Sequence, residues 1–208
     1  MLAFRCCVGA FIATTIAFVA SPLPSIAQSS TRAAELPVLI LVRHADKAAE
    51  PAADPPLTAA GGKRAQDLVA TLRNAGVTTI ITTQVRRTRE TAQPLAAALG
   101  LTPQVLQVGE GALVANPAPG QQFPPEVLNA RAEYIKALEG ALRRLSDVVL
   151  VVGHDWSVPG LIAAVGGPQF PNICSSVYDN LFILISAKGK ADLIQGRYGA
   201  PTPGTDCK

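Results

Sequence analysis

The chain has 208 residues, of which 49% are hydrophobic and 16% charged, and its formal net charge is +3. That apolar content excludes wholesale disorder, and the length suits one large domain. The seventeen Gly and seventeen Pro follow no triplet period, which excludes collagen, and the small, scattered positive charge argues against a dedicated nucleic-acid partner.

Residues 1–27 read as a signal peptide. Arg5 precedes an apolar stretch from Cys6 to Ala20, and Ser25-Ile26-Ala27 supplies a small-x-small cleavage site before Gln28. The apolar run is shorter than the ~20 residues that cross a bilayer, so no stable membrane insertion is expected after cleavage. A periplasmic or secreted location follows. Cleavage leaves Cys174 and Cys207, and two cysteines in an exported chain suggest a disulfide that ties down the Pro/Gly-rich tail.

Residues 28–35 form a polar linker, and 36–208 a single domain. Val38 to Val42 is a wholly apolar, branched run that predicts a strand buried on both faces. Ala45 to Leu57 is a loop with three prolines. Thr58 is a plausible N-cap for a helix through Arg73, stopped by Gly76. Val77 to Thr82 predicts a second strand, and Arg87 to Leu99 a helix that Pro94 should kink or break. Gln104 to Val108 is a weaker third strand, followed by a long loop over 109–123. A helix runs from Pro125 to Leu145, and Asp147 to Val152 is a fourth buried strand. Ser157 is expected to cap a helix with Pro159 in its first turn. Leu181 to Ser186 and Ala191 to Arg197 read as two last strands joined at Lys188-Gly189-Lys190. This alternation predicts a three-layer α/β/α sandwich with a largely parallel central sheet, whose ligands bind at the carboxyl ends of the strands.

The chemistry-bearing residues fall at those ends. The only two histidines, His44 and His154, each follow a predicted buried strand. Arg43 adds a fixed cation beside His44. Arg86, Arg87 and Arg89 crowd a helix start, where cations are disfavoured unless an anion offsets them. Arginine meets phosphate with paired hydrogen bonds. Phosphoryl transfer needs positioned cations and a nucleophile, which an imidazole can supply. The chain has no Walker sequence and no Gly-x-Ser-x-Gly elbow.

Four ordered segments carry a resemblance: Val42-Arg43-His44-Ala45, Pro56-Leu57-Thr58-Ala59-Ala60-Gly61, Thr82 through Ala92, and Val151-Val152-Gly153-His154. They resemble the motifs of the histidine phosphatase (phosphoglycerate mutase-like) superfamily, in its smaller first branch. The resemblance implies His44 as the nucleophile that becomes a phosphohistidine. It implies Arg43 and Arg87 as phosphate-binding arginines, Arg87 because it lies four residues before Thr91-Ala92. It implies His154 as the second phosphate-binding and charge-stabilising histidine, and it requires no metal or other cofactor.

The proton donor is open. Glu110 occupies the loop where the first branch carries its acid. Asp155 gives a His-Asp pair like that of the acid phosphatase branch, and Asp46 is a third option. Lys47 is either a phosphate contact or solvated, and Trp156 either flanks substrate or packs. Tyr178 reads as filler, Gly61-Gly62 as serving turns and close packing, and Arg197-Tyr198-Gly199 as unassigned.

The expected activity is therefore exported phosphomonoester hydrolysis, acting on a small phosphorylated partner. The alternatives are a non-catalytic phosphate-ligand binder of the same fold and a mutase-type phosphotransferase. A metal site built from His44, His154 and Asp155 is a more distant one, since Arg43 would repel a cation.

Overall fold

The computed structural model describes residues 36–114, 121–187 and 190–204, all within the compact unit Arg32–Lys208. The expected signal peptide, the linker, Cys207 and the Lys188-Gly189 turn lie outside the described residues.

Six strands form one sheet: β1 (Val38–Arg43), β2 (Thr79–Thr82), β3 (Gln104–Val105), β4 (Val148–Gly153), β5 (Asn180–Ala187) and β6 (Lys190–Arg197). Their order is β3-β2-β4-β1-β5-β6. The first four run parallel, while β5 and β6 are antiparallel additions on the β1 side. Helices α1 (Ala59–Leu72), α2 (Arg86–Leu99), α3 (Pro125–Leu142) and α4 (Ser157–Ala164) cover the sheet.

The two central strands are apolar throughout because both of their faces are covered. Alternate residues go to opposite layers. Leu39, Leu41, Val149 and Val151 pack with Tyr134, Leu138 and Leu142 of α3 and with Leu161 and Ile162 of α4. Ile40, Val42, Leu150 and Val152 pack with Leu68 and Leu72 of α1 and with Leu95 and Ala96 of α2. The three-layer α/β/α sandwich is the architecture expected from the alternation of elements.

Several local expectations are corrected. Pro94 does not end a helix, since it lies inside α2, which runs from Arg86 to Leu99. The third strand shrinks to two exposed residues at the sheet edge, where little apolar surface rewards a longer one. A 3-10 turn, Glu110–Leu113, occupies part of the long loop. Helix α3 stops at Leu142 instead of Leu145. Ser157 is the first residue of α4 and makes no cap bond to it; its Oγ accepts from the His154 backbone N–H at 2.8 Å. Thr58 does cap α1, accepting from Gly61 N at 3.1 Å.

Candidate active site

The parallel register of β1 and β4 builds the centre of the site. Arg43 stands opposite Gly153 on the last rung, and the His44 N–H donates to the Gly153 carbonyl at 2.9 Å. His44 and His154 therefore leave adjacent strands side by side, with ring centroids 5.7 Å apart and an edge-on tilt of 66°. Gly153 is needed at the strand end, because a Cβ there would come within 2.6 Å of Ser157 Oγ.

A cavity of about 210 Å³ opens over these strand ends. Arg43, His44, Arg87 and His154 line it together with Lys47, Asp155, Trp156 and small apolar residues. The first four are buried, with Arg87 at 9% exposure the most open of them. Of the three arginines at the start of α2, Arg87 is the one that lines this cavity. Arg86 lies outside it and pairs with Glu90 on the helix surface.

His44 Nδ1 lies 2.9 Å from the Ala45 carbonyl oxygen. A carbonyl only accepts, so Nδ1 carries the hydrogen and Nε2 keeps the lone pair. Burial, reinforced by Arg43 and His154, pushes the His44 pKa well below the usual imidazole value. Burial first, and then Arg87 and Arg43, does the same to His154. Both rings are held neutral, and neutral imidazole is the nucleophilic form.

Arg43 is fixed by the segment after α4. Its Nη1 donates to the carbonyls of Cys174, Ser175 and Val177 at 2.8, 3.0 and 2.9 Å. Its guanidinium lies 4.3 Å from the centre of the Tyr178 ring. The Nε atoms of Arg43 and Arg87 are both buried with no hydrogen-bond partner. Unpaired buried guanidinium donors are costly unless an anion meets them.

The three carboxylates part company. Asp155 lines the cavity of His44, and its charge opposes the lowering of the Lys47 and Arg87 pKa values, which burial chiefly causes. Its Oδ1 accepts from Trp156 N at 3.0 Å. Glu110 lines a neighbouring cavity with Asp54 and Gln84, which shares Ala52, Ala53, Leu113 and Val114 with the first. Asp46 is held by the buried Arg64 at 2.7 Å and lines neither cavity. Among the described residues, no group of three or more His, Cys, Asp or Glu side chains is placed to hold a metal ion, and no helix is long and apolar enough to cross a membrane. Cys174 is disulfide-bonded, while Cys207 lies outside the described residues.

Some residues of the site escaped sequence reasoning. Tyr178 is not filler: its ring lies 5.9 Å from that of His44, beneath Arg43. Arg131 of α3 lies 4.0 Å from the centre of the Phe123 ring and 5.0 Å from that of Trp156. It donates to the carbonyls of Ala112 and Val114, and so ties the cavity rim to α3. Trp156 does two things at once, lining the cavity and stacking on His154 at 5.8 Å with 10° between the planes. Arg197-Tyr198-Gly199 serves the tail. Arg197 pairs with buried Asp179, and the Tyr198 carbonyl accepts from Arg64. No periodicity or spacing marks Tyr178 or Arg131; only the fold brings them to the site.

The fold is that of the phosphoglycerate mutase-like histidine phosphatases. A provisionally assigned alpha-ribazole-5'-P phosphatase from Escherichia coli K-12 superposes with a TM-score of 0.54 at 18% identity, over 78% of this chain and 96% of that one. A mycobacterial glucosyl-3-phosphoglycerate phosphatase gives 0.53 at 15% identity, over 79% and 99%. In sequence, the model of the histidine phosphatase superfamily (branch 1) matches residues 39–108, a stretch that includes Arg43, His44 and Arg87 but not His154. A Yersinia enterocolitica protein provisionally assigned as the phosphoglycerate mutase GpmB is 32% identical over 112 residues, 49% of this chain and 51% of that one. The match thus spans about half the length of that curated relative. Residues 39–108 of this chain thus resemble the histidine phosphatase superfamily (branch 1) in sequence, and the fold resembles the structures above.

Proposed function

We propose that this protein is an exported phosphatase that hydrolyses small phosphomonoesters through a phosphohistidine on His44. One observation carries the reading: two neutral, buried histidines and two buried arginines with unpaired Nε donors share one cavity. That set suits a phosphoryl group, whose transferring oxygens carry spread negative charge.

In this reading Arg43 and Arg87 hold the phosphoryl oxygens, and His154 joins them by taking up a proton on its second ring nitrogen as the anion binds. The Nε2 lone pair of His44 forms the N–P bond as the P–O bond to the leaving group breaks. The leaving oxygen takes a proton from Asp155. Water then attacks phosphorus and gives its proton back to Asp155, the N–P bond breaks, and Nε2 regains its lone pair. Asp155 takes precedence over Glu110 as donor because it lines the same cavity as His44. The small cavity suits a phosphoryl group with a compact remainder, or the phosphorylated end of a longer molecule. Export rests on the 1–27 segment, and a Cys174–Cys207 disulfide fits that compartment.

The test is hydrolysis of an aryl phosphate by the full chain beside His44→Ala, with a search for a base-stable, acid-labile phosphoenzyme. Turnover and phosphoenzyme that both vanish in the variant are expected. Turnover retained by His44→Ala overturns the mechanism. Phosphate binding without hydrolysis points to a binding protein, and transfer of phosphate to an acceptor alcohol in place of water points to a mutase.

A further inference from the structure

A neutral imidazole has one N–H and one lone pair, and the environment decides which nitrogen holds which. For His44 the Ala45 carbonyl decides directly. For His154 the decision comes through two threonine hydroxyls. His154 Nε2 lies 3.2 Å from Thr83 Oγ1, which lies 2.9 Å from Thr88 Oγ1. Thr88 Oγ1 also lies 2.9 Å from the Val85 carbonyl and 3.1 Å from the Thr83 carbonyl.

A hydroxyl has one hydrogen. The carbonyls beside Thr88 cannot donate, so Thr88 gives its hydrogen to them and can only accept from Thr83. Thr83 has then given its own hydrogen and can only accept from His154. The reverse direction would leave Thr88 Oγ1 facing two carbonyl oxygens with no hydrogen between them. Thr83 and Thr88 are both fully buried, so no solvent competes for these bonds.

We infer that Thr83 and Thr88 are positioning residues that fix His154 with its hydrogen on Nε2, so that Nδ1 is the ring nitrogen free to gain or lose a proton. The same helix also serves His44. The Thr91 hydroxyl accepts from the Ala45 N–H at 2.9 Å and donates to the Arg87 carbonyl at 2.7 Å. The residue whose carbonyl orients His44 and the helix that carries Arg87 are thereby joined. Residues 88 and 91 lie three apart on one face of α2, next to Arg87, and each connects to one histidine through one intervening residue, Thr88 through Thr83 and Thr91 through Ala45. Helix α2 is thus a frame that holds both rings in opposite tautomers, Nδ1–H for His44 and Nε2–H for His154. The consequence for turnover rests on the phosphatase reading above; the tautomers do not.

The experiment is a long-range proton–nitrogen correlation on the ¹⁵N-labelled full chain, whose only side-chain imidazoles are these two. One histidine of each tautomer is expected, with His154 assigned by its loss in His154→Gln. Thr88→Val frees the Thr83 hydrogen to turn toward Nε2 and should convert His154 to the other tautomer or a mixture. Thr88→Ser should restore it. Aryl phosphate kcat/KM should fall on the order of tenfold to a hundredfold in Thr88→Val and recover in Thr88→Ser. A wild-type His154 with its hydrogen on Nδ1 overturns the inference even if no variant folds. An unchanged tautomer in a folded Thr88→Val overturns it too. The expected tautomers in a protein that hydrolyses no phosphomonoester sustain the inference and remove the phosphatase reading instead.

Discussion

The Arg43 side chain donates to the Cys174 carbonyl at 2.8 Å across 131 residues of sequence. The end of the first strand is thereby tied to the segment that follows α4. Two further bonds, to the Ser175 and Val177 carbonyls, make the same long-range tie.

Arg87 and Arg86 are neighbours with opposite surroundings, one buried in the cavity and one on the helix surface. Arg87→Ala should lower kcat/KM on the order of 10²–10³-fold, the usual effect of losing a donor to a developing oxyanion. Arg86→Ala should stay within about threefold, since an exposed pair contributes little. Steady-state kinetics on one aryl phosphate compares them; equal losses would assign the wrong arginine.

Asp155→Asn should slow hydrolysis of alkyl phosphates far more than that of aryl phosphates. A good leaving group departs without a proton, while a poor one needs the donor. Glu110→Gln should leave both nearly unchanged. If Glu110→Gln instead shows the leaving-group dependence, the donor sits in the neighbouring cavity.

Acid should loosen the fold before the carboxylates titrate. His44 and His154 have folded pKa values well below 6.5, the ordinary imidazole value. Below about pH 6.5 the unfolded chain binds protons that the folded chain refuses, so stability falls as pH drops through that region. The lowered carboxyl of Asp179 adds its own loss only at lower pH, below the ordinary carboxylate value. Melting temperature should decline from pH 7.5 to 5.5. The double variant His44→Gln/His154→Gln should flatten that decline, and an equally steep variant would refute the cause.

Gly61→Ala should cost about 1–3 kcal/mol, the usual penalty of overpacking. A Cβ at Gly61 would fall on the Asp46 backbone carbonyl, whereas at Gly62 it would meet nothing. Gly62→Ala is the internal control and should be neutral or stabilising. Urea unfolding of the pair checks the difference.

Reducing the proposed Cys174–Cys207 bridge should lower the melting temperature by about 5–10 °C, following the stabilisation typical of one disulfide. Cys207→Ser without reductant should match it. No shift in either would leave the proposed pairing without support.

Much of the fold was legible because its signals are local. The runs Val38–Val42 and Val148–Val152 are apolar at every position, which only strands buried on two faces require. Gly100 ends α2 through its left-handed conformation, and Gly76 adopts the same conformation in the turn between α1 and β2. The histidines were legible because each directly follows such a strand. The less legible features depend on neighbours distant in sequence. Pro94 survives inside α2 despite its missing donor, and the third strand is short because it lies at the sheet edge. Asp46 looked available in sequence until Arg64, eighteen residues on, claimed it. The ranking of Glu110 against Asp155 turned on which cavity each carboxylate lines, and that is fixed only by how the chain around residues 110–114 folds onto α3.

The three carbonyls gripped by Arg43 also bear on the entropy of ligand capture. A free arginine loses up to about 2 kcal/mol of rotamer freedom when it is immobilised, and a small anion with few contacts would have to supply it. Here that ordering is complete once the chain has folded, because residues 174–177 have already chosen the rotamer. An anion arriving at the cavity meets a rigid fork instead of a mobile arm, and a phosphoryl group with little else attached can bind without a large, closing lid to organise its arginine.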